Sequence, residues 1–103
     1  MIRNSIFFVL VLILTACGVS NSLFKPSELD AYKMSTNEKN VTLADLQTGF
    51  KLYSSNCGGC HFLYAPGSKI KSEWEVLLLE MFSRTQLMVQ QRELVRQYIY
   101  SKL

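Results

Sequence analysis

Cys57-Gly58-Gly59-Cys60-His61 is the stretch of this 103-residue sequence from which its expected fold follows. Two thiols three positions apart, followed at once by an imidazole, form the Cys-x-x-Cys-His pattern by which haem c is attached covalently to a polypeptide. The sulfurs bond two vinyl groups of one porphyrin, and the histidine supplies an axial nitrogen to the iron. The motif therefore predicts one covalent haem c, held by Cys57, Cys60 and His61.

A Cys-x-x-Cys pair also has other uses in proteins. A thioredoxin-like redox centre is expected between a strand and a helix, whereas the residues before Cys57 repeat with helical spacing. A closed zinc site needs four protein ligands, but the chain offers one histidine and only one further cysteine, Cys17. A disulfide across so short a loop is geometrically demanding and gives His61 no role. Haem attachment is favoured, and these three uses remain the alternatives.

The N-terminus has the pattern of an export signal. Arg3 is the only charged residue before an apolar run over residues 6–14, which leads into Leu14-Thr15-Ala16-Cys17. The run is much shorter than the roughly 20 residues of a membrane-spanning helix, so a permanent transmembrane anchor is the weaker alternative. The pattern resembles a bacterial lipoprotein signal peptide, which implies cleavage of residues 1–16 and a diacylglyceryl group on the Cys17 sulfur. An ordinary secretory signal that leaves Cys17 free is the alternative.

This resemblance implies a mature protein on the periplasmic side of a bacterial membrane, anchored by its lipid. Gly18 after Cys17 slightly favours the outer membrane. Residues 17–40 are largely Ser, Asn, Lys, Glu and Thr, with scattered apolar side chains. We therefore predict a lipidated cysteine and a mostly flexible tether over residues 17–40, which as a coil would span on the order of 25 Å.

Charge excludes some classes of function. The whole chain has a net charge of +3, and Arg3 is lost with the signal. The sequence has no concentrated basic stripe, so nucleic-acid binding is not expected. The carboxylates are scattered and the single histidine is assigned to iron, so no catalytic site and no enzymatic activity are predicted. The basic residues near the C-terminus are interpreted as a solvated helix face: Arg84, Arg92, Arg96 and Lys102.

Residues 41–103 are predicted to form an all-α domain. Thr42 and Asp45 form a capping-box pattern at the start of a first helix, whose apolar face is Leu43, Leu46, Phe50 and Tyr53. A loop follows from Cys57 to Lys71. Ser72 and Glu75 predict a second capping box, before a stripe made of Trp74, Leu77, Leu78, Met81 and Phe82. A third helix is predicted from Gln86 to Ser101.

Between about Leu43 and Ile99 the chain resembles a small monohaem cytochrome c of class I type, in a minimal form. The resemblance is carried by the haem motif and by Gly49, Tyr53, Leu63, Pro66, Trp74, Met81 and Tyr98-Ile99. It implies about three helices wrapped around one covalent haem. It also implies a close crossing of the first and last helices at Gly49, opposite Tyr98, and a Pro66 loop whose carbonyl accepts from the second imidazole nitrogen of His61.

The sixth iron ligand decides the chemistry. With one histidine in the chain, it is a methionine sulfur, Lys69, water or an open position. Met81 is the expected ligand, because it lies two helical turns after Trp74, where the ligand methionine of these short cytochromes lies. Met88 is the alternative, and Met34 is a remote candidate.

Ligation by both His61 and Met81 implies one-electron exchange with periplasmic or membrane redox proteins. An open sixth position would instead imply a haem protein that binds a small gas or peroxide. The short chain and its membrane tether also fit an accessory haem subunit of a respiratory complex.

Overall fold

A computed structural model describes residues 24–38, 40–57 and 63–103. They form four α-helices, named here α1 (Glu28–Asn37), α2 (Leu43–Asn56), α3 (Lys71–Ser83) and α4 (Val89–Ser101), and a 3-10 turn at Pro66–Ser68. No strand occurs in these ranges, so the all-α prediction is confirmed for them. None of their helices is long and apolar enough to cross a membrane. The predicted signal, Cys17, Cys60 and His61 lie outside the described residues.

α2 begins where the sequence predicts. The Thr42 hydroxyl accepts from the backbone N–H of Asp45 at 3.2 Å, and the Asp45 carboxylate accepts from the N–H of Thr42 at 2.9 Å. The helix ends at Asn56, and the N–H of Cys57 donates to the Tyr53 carbonyl at 3.0 Å. The Cys-x-x-Cys-His motif therefore starts at the residue that caps α2.

α3 begins at Lys71, two residues before the start at residue 73 that a Ser72 N-cap predicts. The predicted capping box of Ser72 and Glu75 is wrong, because Ile70 occupies the N-cap position and no side chain caps the helix. The first turn is closed by the N–H of Trp74, which donates to the Ile70 carbonyl at 3.1 Å. Burial of the Trp74 ring, rather than a local cap, thus sets this start.

α4 begins at Val89, three residues after the predicted Gln86. Leu87 is buried in the core from an extended connection. Its carbonyl accepts from the Arg92 guanidinium at 2.9 Å, and Gln91 accepts from the N–H of Met88 at the N-cap. These hydrogen bonds satisfy the carbonyl of Leu87 and the N–H of Met88 outside the helix, so α4 starts later than predicted.

Residues 28–37 form α1 in a stretch predicted to be a mostly flexible tether. Ser27 and Asp30 form a capping box, in which the N–H of Ser27 donates to the Asp30 carboxylate at 2.8 Å. Ala31 and Met34 pack with Val41 and Leu46 in a small apolar cluster. The sequence signal was weak because so few apolar side chains of α1 point inward, and tertiary contacts supply the rest of its stability.

Polar contacts hold α1 and its flanking residues against α4. They are a hydrogen bond from the Tyr98 hydroxyl to the Phe24 carbonyl, an ion pair between Lys102 and Asp30 at 2.8 Å, and an ion pair between Arg96 and Glu38 at 2.9 Å. Their partners are 58 to 74 positions apart in the sequence. α1 is thus part of the folded domain.

The principal helix pair is α2 and α4. Gly49 lies at their crossing, where a Cβ atom would be 2.8 Å from the carbonyl carbon of Leu94 and 2.9 Å from Cβ of Tyr98. The predicted close approach at Gly49, with Tyr98 opposite, is confirmed. This crossing places the C-terminal end of α2, and with it Cys57, over the main core.

Candidate cofactor site

Cys57 is buried at the end of α2. Its exposure is 5%, and it belongs to the main apolar core, formed by Tyr53, Cys57, Trp74, Leu78, Met81, Leu87, Val95, Tyr98 and Ile99. Burial raises the pKa of the Cys57 thiol to about 11. The sulfur is therefore a neutral thiol in apolar surroundings at neutral pH, and it does not act as a thiolate nucleophile there.

Met81 lies in the same core. α3 points Trp74, Leu78 and Met81 inward at positions i, i+4 and i+7, and Met81 is 5% exposed. The structure thereby brings two residues of the predicted site, Cys57 and Met81, into one apolar cluster on neighbouring helices. The role of Met81 as an iron ligand stays a prediction.

The other candidate ligands lie elsewhere. Met88 is 63% exposed at the N-cap of α4, and Met34 is buried in the separate cluster around α1. The Lys69 ammonium lies 4.5 Å from the centroid of the Tyr64 ring, over its face. Among the described candidates, Met81 alone shares the cluster of Cys57.

The loop before α3 is fastened by the indole of Trp74. Its Nε1 donates to the carbonyl of Pro66 at 2.7 Å, and both groups are buried. A carbonyl oxygen has two lone pairs, so this bond leaves one for a second donor. The predicted bond from His61 to a backbone carbonyl of the Pro66 loop involves a residue outside the described ranges. Sequence reasoning missed the indole bond, although a buried tryptophan N–H generally requires an acceptor.

Tyr53 connects the three helices that surround Cys57. Its ring lies edge-on to Trp74, with centroids 6.2 Å apart, and tilted against Tyr98 at 5.8 Å. Its hydroxyl donates to the carbonyl of Tyr64, which fixes the end of the loop after the motif. Burial is the largest cause that raises the pKa of Tyr53 well above its usual range, and the nearby Cys57 and Tyr64 raise it further. The hydroxyl therefore stays protonated.

The described residues fit the chemistry of a haem group. The core around Cys57 is made of apolar and aromatic side chains from α2, α3 and α4, which match the apolar faces of a porphyrin, and it offers thiol and thioether sulfur. Within ranges that leave out Cys60 and His61, no group of three His, Cys, Asp or Glu side chains is placed to hold a metal ion.

In comparisons with known proteins the chain matches no family model, no curated protein and no solved structure. Its function is therefore inferred from its own residues, chiefly the Cys-x-x-Cys-His motif and the apolar core that encloses Cys57.

Proposed function

We propose that this protein is a periplasmic electron carrier with one covalent haem c. Cys57 and Cys60 hold the haem, His61 and Met81 ligate its iron, and a lipid on Cys17 anchors the chain to the membrane. The observation that carries the proposal is the position of the motif, which starts where α2 ends, with Cys57 inside the core that also contains Met81.

When bound, haem c supplies an iron that accepts and releases one electron. The residues of the chain determine how that iron is used. His61 and Met81 would hold the iron and leave no ligand site for a substrate, and a thioether ligand would raise the reduction potential relative to a second imidazole. The apolar side chains of the core keep water from the site.

Two further observations support the proposal. The close crossing of α2 and α4 at Gly49 is a feature that the resemblance to class I cytochromes c implies. The Trp74 bond to Pro66 restrains the loop that follows His61, and a restrained loop would help to orient His61 as an iron ligand. Electron exchange would take place in brief encounters with periplasmic or membrane redox proteins, for which a small interface suffices.

The test is absorption spectroscopy of the exported, purified protein, oxidised and reduced, with and without carbon monoxide. We expect a low-spin haem that stays on the chain after denaturing extraction and that does not react with carbon monoxide. Absence of haem from matured protein would refute the proposal. Covalent haem that readily binds carbon monoxide would instead indicate an open sixth position and a gas- or peroxide-binding protein.

Two methionine variants assign the sixth ligand. Met81→Ala is expected to convert the haem to a form that binds carbon monoxide, because the thioether is removed from the core. Met88→Ala is the matched control, and it should leave the spectra unchanged because Met88 is exposed at the start of α4. The reverse result would make Met88 the ligand and would require α4 to start differently in the haem-bound protein.

A further inference from the structure

The chain that leads back towards Cys17 is fixed to the domain at Phe24. The Tyr98 hydroxyl donates to the Phe24 carbonyl, and Tyr98 itself is fully buried. Six residues further on, Asp30 pairs with Lys102 at 2.8 Å. The residues after Phe24 therefore do not lengthen the chain segment that joins the domain to the predicted lipid.

With the lipid proposed above on Cys17, this attachment would keep the domain close to the bilayer. Seven peptide units join Cys17 to Phe24, and an extended chain of seven residues spans at most about 25 Å. The surface beside Phe24 is thus confined near the lipid headgroups, whereas a free tether up to residue 40 would allow several times that distance.

A shallow cleft lies beside Phe24. It has a volume of about 370 Å³ and is lined by Lys25, Pro26, Gln47, Phe50 and Lys51. The Phe50 ring packs on Tyr98 with centroids 5.4 Å apart, which places the cleft next to the hydroxyl that binds Phe24. The cleft therefore lies on the part of the surface from which the chain leads back towards Cys17.

The two lysines of this cleft differ from the other lysines that the structure describes. Lys25 and Lys51 are exposed, and within residues 24–38, 40–57 and 63–103 neither forms an ion pair with an acidic side chain or lies over an aromatic ring. Each of the others has such a contact: Lys33 and Lys102 with Asp30, Lys69 with Tyr64, and Lys71 with Tyr100. Two lysines that form no ion pair among the described residues therefore flank one cleft.

We propose that this cleft lies against the bilayer and that Lys25 and Lys51 bind anionic lipid headgroups there. The inference rests on the lipid anchor proposed above for Cys17. Lysines near an anionic membrane surface are attracted to it, and the attraction decays within a Debye length, so it requires the close approach that the Phe24 attachment imposes. The lipid thus both anchors the domain and orients it, with Lys25 and Lys51 towards the membrane.

The test uses the full lipidated, haem-bearing protein in phosphatidylcholine vesicles, with or without phosphatidylglycerol. A water-soluble amine reagent labels exposed lysines, and mass spectrometry reports each site. Lys25 and Lys51 are expected to be labelled several-fold less on vesicles that contain phosphatidylglycerol, and high salt should remove the difference. Lys71 is the reference because it lies on another side of the domain. It contacts Tyr100, and Tyr100 and Tyr98 point about 200° apart around α4, whereas the cleft lies next to Tyr98.

Charge reversals provide a matched pair of variants. Lys51→Glu should restore the labelling of Lys25, whereas Lys71→Glu, also at an exposed helical position, should leave the protection of Lys25 intact. If Lys25 and Lys51 are each labelled to the same extent with and without phosphatidylglycerol, in protein whose intact mass shows both lipid and haem, this inference alone is overturned. An intact mass without the diacylglyceryl group would overturn the anchor and this inference with it.

Discussion

Gly49 lies so close to Leu94 that a Cβ atom at residue 49 would be 2.8 Å from the Leu94 carbonyl carbon. The obstacle is backbone of the opposite helix, which cannot rotate away as the end of a flexible side chain can. α2 and α4 therefore approach this closely only because residue 49 has no side chain.

Overpacking usually costs about 1–3 kcal/mol, and the upper part of that range applies here because the added Cβ would meet backbone atoms of Leu94. Alanine returns about 1 kcal/mol of helix propensity relative to glycine, so Gly49→Ala is expected to lower the free energy of unfolding by about 1–2 kcal/mol. Denaturant unfolding measures the change. Gly67→Ala is the control, since no atom lies within 4 Å of its Cβ position, and its effect should stay within about 0.5 kcal/mol. Equal effects of the two substitutions would show that the crossing is not tight.

Cys57 should react slowly with alkylating reagents in the folded, haem-free chain. Burial raises the pKa of its thiol from 9.0 to about 11. Because the thiolate is the reactive form, the rate near pH 8 is expected to be about a hundredfold lower than in the denatured chain, and it should rise steeply as the pH approaches 11. Iodoacetamide labelling followed by peptide mapping measures Cys57 separately from Cys60. Similar rates for Cys57 in the folded and denatured chains would contradict its burial.

The ion pair between Asp30 and Lys102 should make the fold sensitive to acid. Burial raises the pKa of Asp30, but the hydrogen bonds from Lys102 and Ser27 and the charge of Lys102 outweigh it, so the pKa lies below its usual 3.8. A carboxylate whose pKa is lower in the folded state stabilises the protein above its unfolded-state pKa, and this contribution is lost as the pH falls through the folded-state pKa.

Stability measured by thermal unfolding should therefore fall as the pH drops below about 4, and Asp30→Asn should reduce that fall. Lys102→Met should reduce it as well, because the principal group that lowers the pKa of Asp30 is then absent. A Lys102→Met protein that loses stability in acid as steeply as the parent would show that another carboxylate is responsible.

Local patterns in the sequence predicted the parts of the fold that depend on neighbouring residues. Thr42 and Asp45 defined the start of α2, because a capping box is made within one turn. Gly49 was recognised by its resemblance to a known helix crossing, and the structure shows the contact. The spacing of Trp74, Leu78 and Met81 predicted the inward face of α3.

The features that the sequence did not predict depend on residues far apart in the chain. α1 is stabilised by pairs such as Asp30 with Lys102, and no local pattern indicates a partner that is 72 positions away. The start of α3 follows from the burial of Trp74 and its bond to Pro66, which overrides the local capping signal of Ser72. The predicted roles of Cys60 and His61 lie outside the described residues and stay predictions.

The pairing of α2 with α4 also determines when Cys57 becomes buried as the chain is synthesised or exported. A polypeptide leaves a ribosome or an export channel N-terminus first, so Cys57 emerges more than thirty residues before the helix at residues 89–101 that closes the core over it. Long-range contacts of this kind form only after the distant partner is present. During that interval the thiol is accessible and its pKa is unperturbed by burial. If the chain carries the haem proposed above, its attachment to Cys57 would have to precede the docking of this last helix.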